Sequence, residues 1–160
     1  MLVERISRRR SELFQGIEIT GDEEFRRRTR AALALLGLRG FLHEIEPYLA
    51  AIREGRRSGM RAWMERPTFV VGRPTWSHSL HWYAGAIAHD ACHSRLYREG
   101  EAWTGAEAER RCLAFQLQVL RALGAEPALI AWVERWECNP SYQGSHRGWR
   151  SWLDYLRRRW

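Results

Sequence analysis

Residues 79–98 read SLHWYAGAIAHDACHSRLYR, and this stretch decides how the middle of the chain folds. It contains no Pro and a single Gly, and Ala recurs between Ala84 and Ala91. Because Pro and Gly are the residues that most disfavour a helix interior, the pattern predicts one helix over the whole stretch. The small residues would let a neighbouring element approach closely, and Gly100 is expected to end the helix.

Shorter signals predict regular elements on both sides of this helix. Alternating or β-branched residues at 17–20 and 68–71 indicate two strands. Thr20 with Glu23, and Thr104 with Glu107, have the spacing of capping boxes, in which a hydroxyl and a carboxylate satisfy the first free N–H groups of a helix. The remaining predicted helices cover about residues 20–37, 41–54, 104–123, 127–136 and 149–158. Residues 1–15 are expected to be irregular.

These elements predict one mostly helical α+β domain with a small sheet. The chain has 160 residues, the size of one ordinary domain, and 45% of them are hydrophobic, which argues against intrinsic disorder. No internal repeat or linker divides it. The domain is expected to consist of an N-terminal helical part (1–66), a strand with two helices (67–124) and C-terminal helices (125–160).

The charge and cysteine content bound the classes of function. The net charge is +7, and every one of the 26 basic residues is Arg. Three Cys do not make a disulfide framework, no apolar run approaches the roughly 18 residues of a membrane span, and no apolar signal segment is visible at the N-terminus. The expectation is a cytoplasmic protein without a membrane partner. A basic helical module that binds nucleic acid stays open as an alternative, although no motif supports it.

The sequence His89-Asp90-Ala91-Cys92-His93 carries the chemistry. Residues i and i+4 lie on the same face of a helix, about 5–6 Å apart between Cβ atoms. Two imidazoles at this spacing can both reach one divalent metal ion at about 2.0–2.1 Å. The pattern therefore indicates a metal site on the long helix.

This pattern resembles the H-E-x-x-H motif of zincin metallopeptidases, with Asp90 in the place of the Glu. The resemblance covers about residues 67–124. It implies a minimal zincin-like helix pair, Zn²⁺ as the metal, a water molecule in the open fourth position, Asp90 as general base, and a peptide or protein as substrate. The strand at 68–71 is the candidate for the sheet that precedes the metal helix in such folds.

Asp90 is also where the sequence departs from the motif. Asp is one methylene shorter than Glu, and a general base must come within about 2.6–3.2 Å of the proton that it removes. Two alternatives therefore stay open. In the first, Asp90 orients a metal ligand instead of acting as a base. In the second, the protein is a catalytically degenerate zincin whose metal only holds two helices together.

The resemblance to gluzincins implies a third ligand, a Glu on the next helix, where Glu107 and Glu109 are available. Glu109 is in helical phase with the apolar stripe of that helix, and Glu107 is in phase with its wet face. A carboxylate in an apolar stripe is costly unless it is paired or binds metal, which favours Glu109 as the ligand.

Three further side chains are weaker candidates for the metal or its surroundings. Thiolate is a good zinc ligand, and Cys92 and Cys112 are each three residues from a candidate ligand, so a mixed His and Cys cluster is an alternative. Cys also often serves as a small buried hydrophobe. His81 lies eight residues before His89, on nearly the same helix face, and is a candidate for a group that orients a ligand or contacts the substrate.

Overall fold

The computed structural model describes residues 10–137, in which five short strands form one mixed sheet. In chain order the strands are β1 (Arg10–Phe14), β2 (Ile17–Gly21), β3 (Ala51–Gly55), β4 (Gly59–Arg61) and β5 (Thr68–Gly72). Their spatial order is β1-β2-β3-β5-β4. The central strand β3 is parallel to β2 and β5, and the two outer strands run antiparallel to their neighbours.

Six α-helices accompany the sheet within the described residues. They are α1 (Glu23–Leu38), α2 (Phe41–Ile45), α3 (Arg73–Trp76), α4 (Leu80–Arg98), α5 (Ala106–Ala122) and α6 (Pro127–Glu137). The prediction of a mostly helical domain with a small sheet is confirmed. None of the helices in this part of the chain is both long and apolar enough to cross a bilayer.

One face of the sheet carries the main core. Register places Ile19, Ile52, Phe69 and Met60 in one row across β2, β3, β5 and β4. All four side chains are buried in the cluster that α1 and α4 complete. This apolar row explains why the strands pair as they do, since a slip by one residue would turn the row to solvent.

The long helix α4 lies at the centre of the helical layer. Ser79 begins it, because its hydroxyl accepts a hydrogen bond from the Trp82 N–H at 3.2 Å. The close approach that its small residues predict is found at Gly85. A Cβ at that position would lie 3.0 Å from Leu120 Cδ2 and 3.3 Å from Gln116 Cγ, both on α5. This contact fixes how closely the two helices pack.

The predicted helix over residues 41–54 is wrong. The helix α2 ends at Ile45, a 3₁₀ turn covers Glu46–Tyr48, and β3 follows. Pro47 has no N–H to continue the helical hydrogen bonds. The next residues are then free to join the sheet, where Ile52 takes its place in the buried row.

The expectation of an irregular N-terminus is also wrong over its described residues, because Arg10–Phe14 forms β1. Gln15 and Gly16 both have positive φ, 45° and 84°, which is the backbone of the tight turn that joins two antiparallel strands. This turn lets β1 fold directly back on β2.

Neither predicted capping box is formed. The side chain of Asp22, not Thr20, accepts the Phe25 N–H at 2.8 Å and begins α1. The helix α5 begins after Gly105, whose φ of 91° suits glycine, and no side chain caps it there. The predicted helix over residues 149–158 lies outside the described residues.

Candidate metal centre

The packing of α5 against α4 brings three potential metal ligands together. The imidazole Nε2 atoms of His89 and His93 are 3.1 Å apart. Glu109 on α5 places one carboxylate oxygen 3.4 Å from His89 Nε2 and the other 3.4 Å from His93 Nε2. Within residues 10–137, these three side chains form the group of ligand atoms that all lie within 4.8 Å of one another.

The spacing of these atoms matches the geometry of a tetrahedral metal ion. Bonds of about 2.0–2.1 Å at tetrahedral angles place neighbouring ligand atoms about 3.3–3.4 Å apart. The three separations here are 3.1, 3.4 and 3.4 Å. The two 3.4 Å distances involve different oxygens of Glu109, so the carboxylate faces both imidazoles, and the three side chains are close enough to share one such ion.

A backbone carbonyl fixes the tautomer of His93. The Nδ1 atom of His93 lies 2.7 Å from the carbonyl oxygen of Trp103, in the segment between α4 and α5. Because a carbonyl oxygen only accepts, Nδ1 carries the hydrogen. Neutral His93 therefore presents the Nε2 lone pair to His89 and Glu109. Metal-binding histidines are commonly oriented in this way.

His93 and Glu109 shift each other's pKa in opposite directions. Burial lowers the pKa of His93, but the nearby carboxylate of Glu109, the charge of Asp90 and the Trp103 carbonyl outweigh it and raise the pKa to about 9. Burial raises the pKa of Glu109, but the two imidazoles outweigh it and hold the pKa well below its usual range. The site therefore favours a positive charge, either a proton or a metal ion, between these side chains.

Two atoms of the group are left without hydrogen bonds. His89 Nδ1 and Glu109 Oε2 are buried, and neither has a hydrogen-bond partner within residues 10–137. Buried polar atoms are normally satisfied, so each exception needs an explanation. For Glu109 Oε2, which lies 3.4 Å from His89 Nε2, a positive charge between the two atoms, a proton or a metal ion, would supply one.

The raised pKa of His93 predicts how the metal-free protein responds to pH. A pKa of about 9 in the folded state exceeds the value of about 6.5 in an unfolded chain. The interaction of protonated His93 with the Glu109 carboxylate therefore stabilises the fold fully below pH ~6.5, and this stabilisation is lost as the pH rises towards 9. Urea unfolding of the chelator-treated protein across this window will show the decline, and Glu109→Gln will flatten it. If the free energy of unfolding of the wild type instead rises between pH ~6.5 and 9, His93 and Glu109 do not interact as described.

Asp90 lies beside the three ligands without joining them. It follows His89 directly, which places it about 100° further around α4. Burial raises the pKa of its carboxyl group, and the charges of His89 and His93 oppose this shift. Asp90 is thus close enough to act electrostatically on the site, and its side chain is not one of the three mutually close ligands.

The structure separates the two glutamates of α5. The Glu107 side chain is 63% exposed and forms an ion pair with Arg110 at 2.7 Å. The Glu109 side chain is 28% exposed and faces the histidines. Glu107 therefore has a surface partner on its own helix, one turn away, and lies apart from the histidines.

The two cysteines form a separate contact between the same helices. Cys92 and Cys112 are buried free thiols that pack with Leu96 and Ala108. Their mutual interaction lowers the pKa of Cys92 to about 6 and raises that of Cys112. Neither sulfur belongs to the group of mutually close ligand atoms, and the half-buried His81 does not belong to it either.

Trp103 is the contributor to the site that the sequence did not indicate. It acts through its backbone carbonyl, which any residue possesses, so its identity carries no signal. Only the position of the segment between α4 and α5 brings this oxygen to His93.

No protein-family model, no curated protein and no solved structure matches this chain.

Proposed function

We propose that this protein binds one Zn²⁺ ion through His89, His93 and Glu109 and hydrolyses a peptide bond at that site. The observation that carries the proposal is the convergence of two imidazole nitrogens and one carboxylate at separations of 3.1–3.4 Å. Two His and one Glu are a ligand set of catalytic zinc sites, which keep a fourth position open.

The donor atoms favour zinc over the other common divalent ions. Mg²⁺ and Ca²⁺ prefer sites built from oxygen ligands, whereas imidazole nitrogen suits zinc and its transition-metal neighbours. The carbonyl of Trp103 further favours a metal, because it directs the lone pair of His93 into the group.

The residues of the chain would divide the catalytic work as follows. Zinc, when bound, polarises a substrate carbonyl and lowers the pKa of water. His89, His93 and Glu109 hold it in place. Asp90 would accept the proton that the attacking water loses and then return it to the leaving amine. Its position directly after His89 is that of the general base in the motif that the sequence resembles.

A second function is a zinc site that only joins α4 to α5. The observation that favours it is the placement of Asp90, a short side chain that is largely withdrawn from solvent beside the site. The two helices already pack closely at Gly85, so a metal bridge one turn further along α4 would add to packing that already exists. In this case the zinc-loaded protein would cleave nothing.

Peptide hydrolysis by the zinc-loaded chain, measured on a mixture of fluorogenic peptides, tests the proposal. We expect cleavage that a chelator abolishes and added zinc restores. Asp90→Ala should lower kcat by about 10²–10⁴, the usual contribution of a general base, while zinc stays bound. Glu107→Ala is the matched control and should cleave like wild type. Absence of cleavage by zinc-loaded wild type, or cleavage that Asp90→Ala leaves intact, would overturn the peptidase.

A further inference from the structure

A second surface lies on the face of the sheet opposite the core. Two rows of side chains cross the five strands there, and Ala51 and Thr68 among them are buried. The first row is Leu13, Glu18, Ala51, Thr68 and Arg61, and the second is Ser11, Thr20, Arg53, Val70 and Gly59. Arg53 and Arg61 are exposed. The sheet therefore holds these two guanidinium groups on one side, on strands separated only by β5.

Two more arginines lie in the turn that joins β3 to β4. Arg56 and Arg57 are both exposed. The turn packs against the end of β5, where a Cβ on Gly72 would come within 3.0 Å of the Arg56 carbonyl oxygen. The hydroxyl of Ser58 also accepts the Gly72 N–H at 3.0 Å. The turn is thus held in place, and its two arginines are presented from a fixed backbone.

The positive charge of this surface is only partly offset by the described part of the chain, where the charge of Arg53 is one of those that lower the pKa of Glu18. Arg53, Arg56, Arg57 and Arg61 form no ion pair with a carboxylate of residues 10–137. Glu18 is the one carboxylate in the two rows, and Arg66 pairs with it at 2.7 Å. Arg53, Arg56, Arg57 and Arg61 are thus four exposed arginines within nine residues of the chain.

An exposed aromatic residue follows these arginines in the chain. Trp63, two residues after Arg61, is 58% exposed. Its ring packs 5.8 Å from that of Trp103, which lies 5.5 Å from the ring of the exposed Tyr97. Exposed apolar side chains that cluster mark an interaction surface more often than scattered ones do. Aromatic faces beside a basic surface are the combination that binds the bases and phosphates of a single strand.

We propose that Arg53, Arg56, Arg57 and Arg61, with Trp63, bind single-stranded nucleic acid. The arginines contact successive phosphates, and Trp63 stacks on an unpaired base. A single strand fits better than a duplex because the face of Trp63 needs a base that is free of its own stack. The proposed contacts use none of the three zinc ligands, so the peptidase can fail without ruling out this binding.

Fluorescence anisotropy with the full chain tests this surface. The probes are single-stranded DNA and RNA of about 20 bases, longer than the site sizes of about 4–16 nucleotides, and the corresponding duplexes. Binding is measured from about 50 to 200 mM salt, with zinc and with chelator. We expect tighter binding to the single strands than to the duplexes, and the same affinity with and without zinc.

Paired variants separate a local surface from overall charge. Arg53→Gln with Arg61→Gln should reduce the slope of log K against log salt by about 1.4, since each lost phosphate contact contributes about 0.7. Arg110→Gln with Arg121→Gln removes the same charge from arginines that are paired with Glu107 and Glu134, and should leave the slope nearly unchanged. Trp63→Ala should weaken binding about fivefold or more without changing the slope, and Trp63→Phe should recover part of it. Circular dichroism confirms that each variant is folded.

Four results with the nucleic-acid probes would each overturn the proposal. They are equal losses in the two arginine pairs, equal affinity for duplex and single strand, a Trp63→Ala variant that binds like wild type, and no binding at the lowest salt concentration. Binding only to vesicles that contain phosphatidylserine would also overturn it and would identify a membrane surface as the partner of the arginines.

Discussion

Glu109→Ala will weaken zinc binding more than about a hundredfold, because even the residues that only orient a ligand contribute about 10–100-fold. Glu109 is the one ligand that comes from α5, and its two oxygens reach both histidines at 3.4 Å. Removing it leaves two imidazoles on one helix as the remaining ligands. The two neutral nitrogens also lose the negative charge that offsets the charge of the ion.

Glu107→Ala is the matched control for this loss. It removes the same side chain from the same helix two residues away, and its carboxylate is paired with Arg110 on the surface. Competition with a chromogenic chelator at neutral pH gives both affinities. We expect the control to bind zinc like wild type. Equal affinities for Glu109→Ala and wild type, or a comparable loss in Glu107→Ala, would contradict the assignment of Glu109.

Zinc will raise the thermal unfolding midpoint by about 8–16 °C when its free concentration is about 1,000 times Kd. The reason is linkage, since a ligand at that concentration stabilises the folded state by about 4 kcal/mol if the unfolded chain does not bind it. In a chain of this size each kcal/mol corresponds to about 2–4 °C. The site joins α4 to α5, so the effect is expected on the main unfolding transition.

His93→Ala should abolish this rise, and His43→Ala should keep it. His43 is an exposed histidine on α2, so the control removes an imidazole without touching the three ligands. Differential scanning calorimetry with and without zinc measures both. A zinc-induced rise that persists in His93→Ala would place the metal elsewhere in the chain.

Some local elements of the fold could be predicted from sequence, but β1, β3 and the pairings between distant elements could not. The helix α4 and the strand β5 follow from propensity and from the Pro and Gly residues around them. The prediction of a helix over residues 41–54 misses β3. Pro47 has no N–H to continue the helix, and Ala51 and Ile52 after it join the sheet. Its parallel pairing with β2 and β5 depends on buried rows that form only in the folded chain.

The part of the candidate site that depends on helical geometry could be predicted from the sequence. The spacing of His89 and His93 places them on one face, and the phase of α5 distinguishes Glu109 from Glu107. The carbonyl of Trp103 has no sequence signal, because the backbone atom that acts is common to all residues. The separation of Cys92 and Cys112 from the ligand group was also beyond prediction, since it depends on the relative rotation of two helices.

X-ray absorption at the zinc edge, on protein loaded with one equivalent of zinc, tests the central claim most directly. The account predicts a first shell of nitrogen and oxygen atoms at about 2.0–2.1 Å, with the outer scattering of two imidazoles and no sulfur. Sulfur at about 2.3 Å would mean that Cys92 or Cys112 binds the metal. A spectrum of hydrated zinc would mean that the three side chains bind none, and either result would contradict the account.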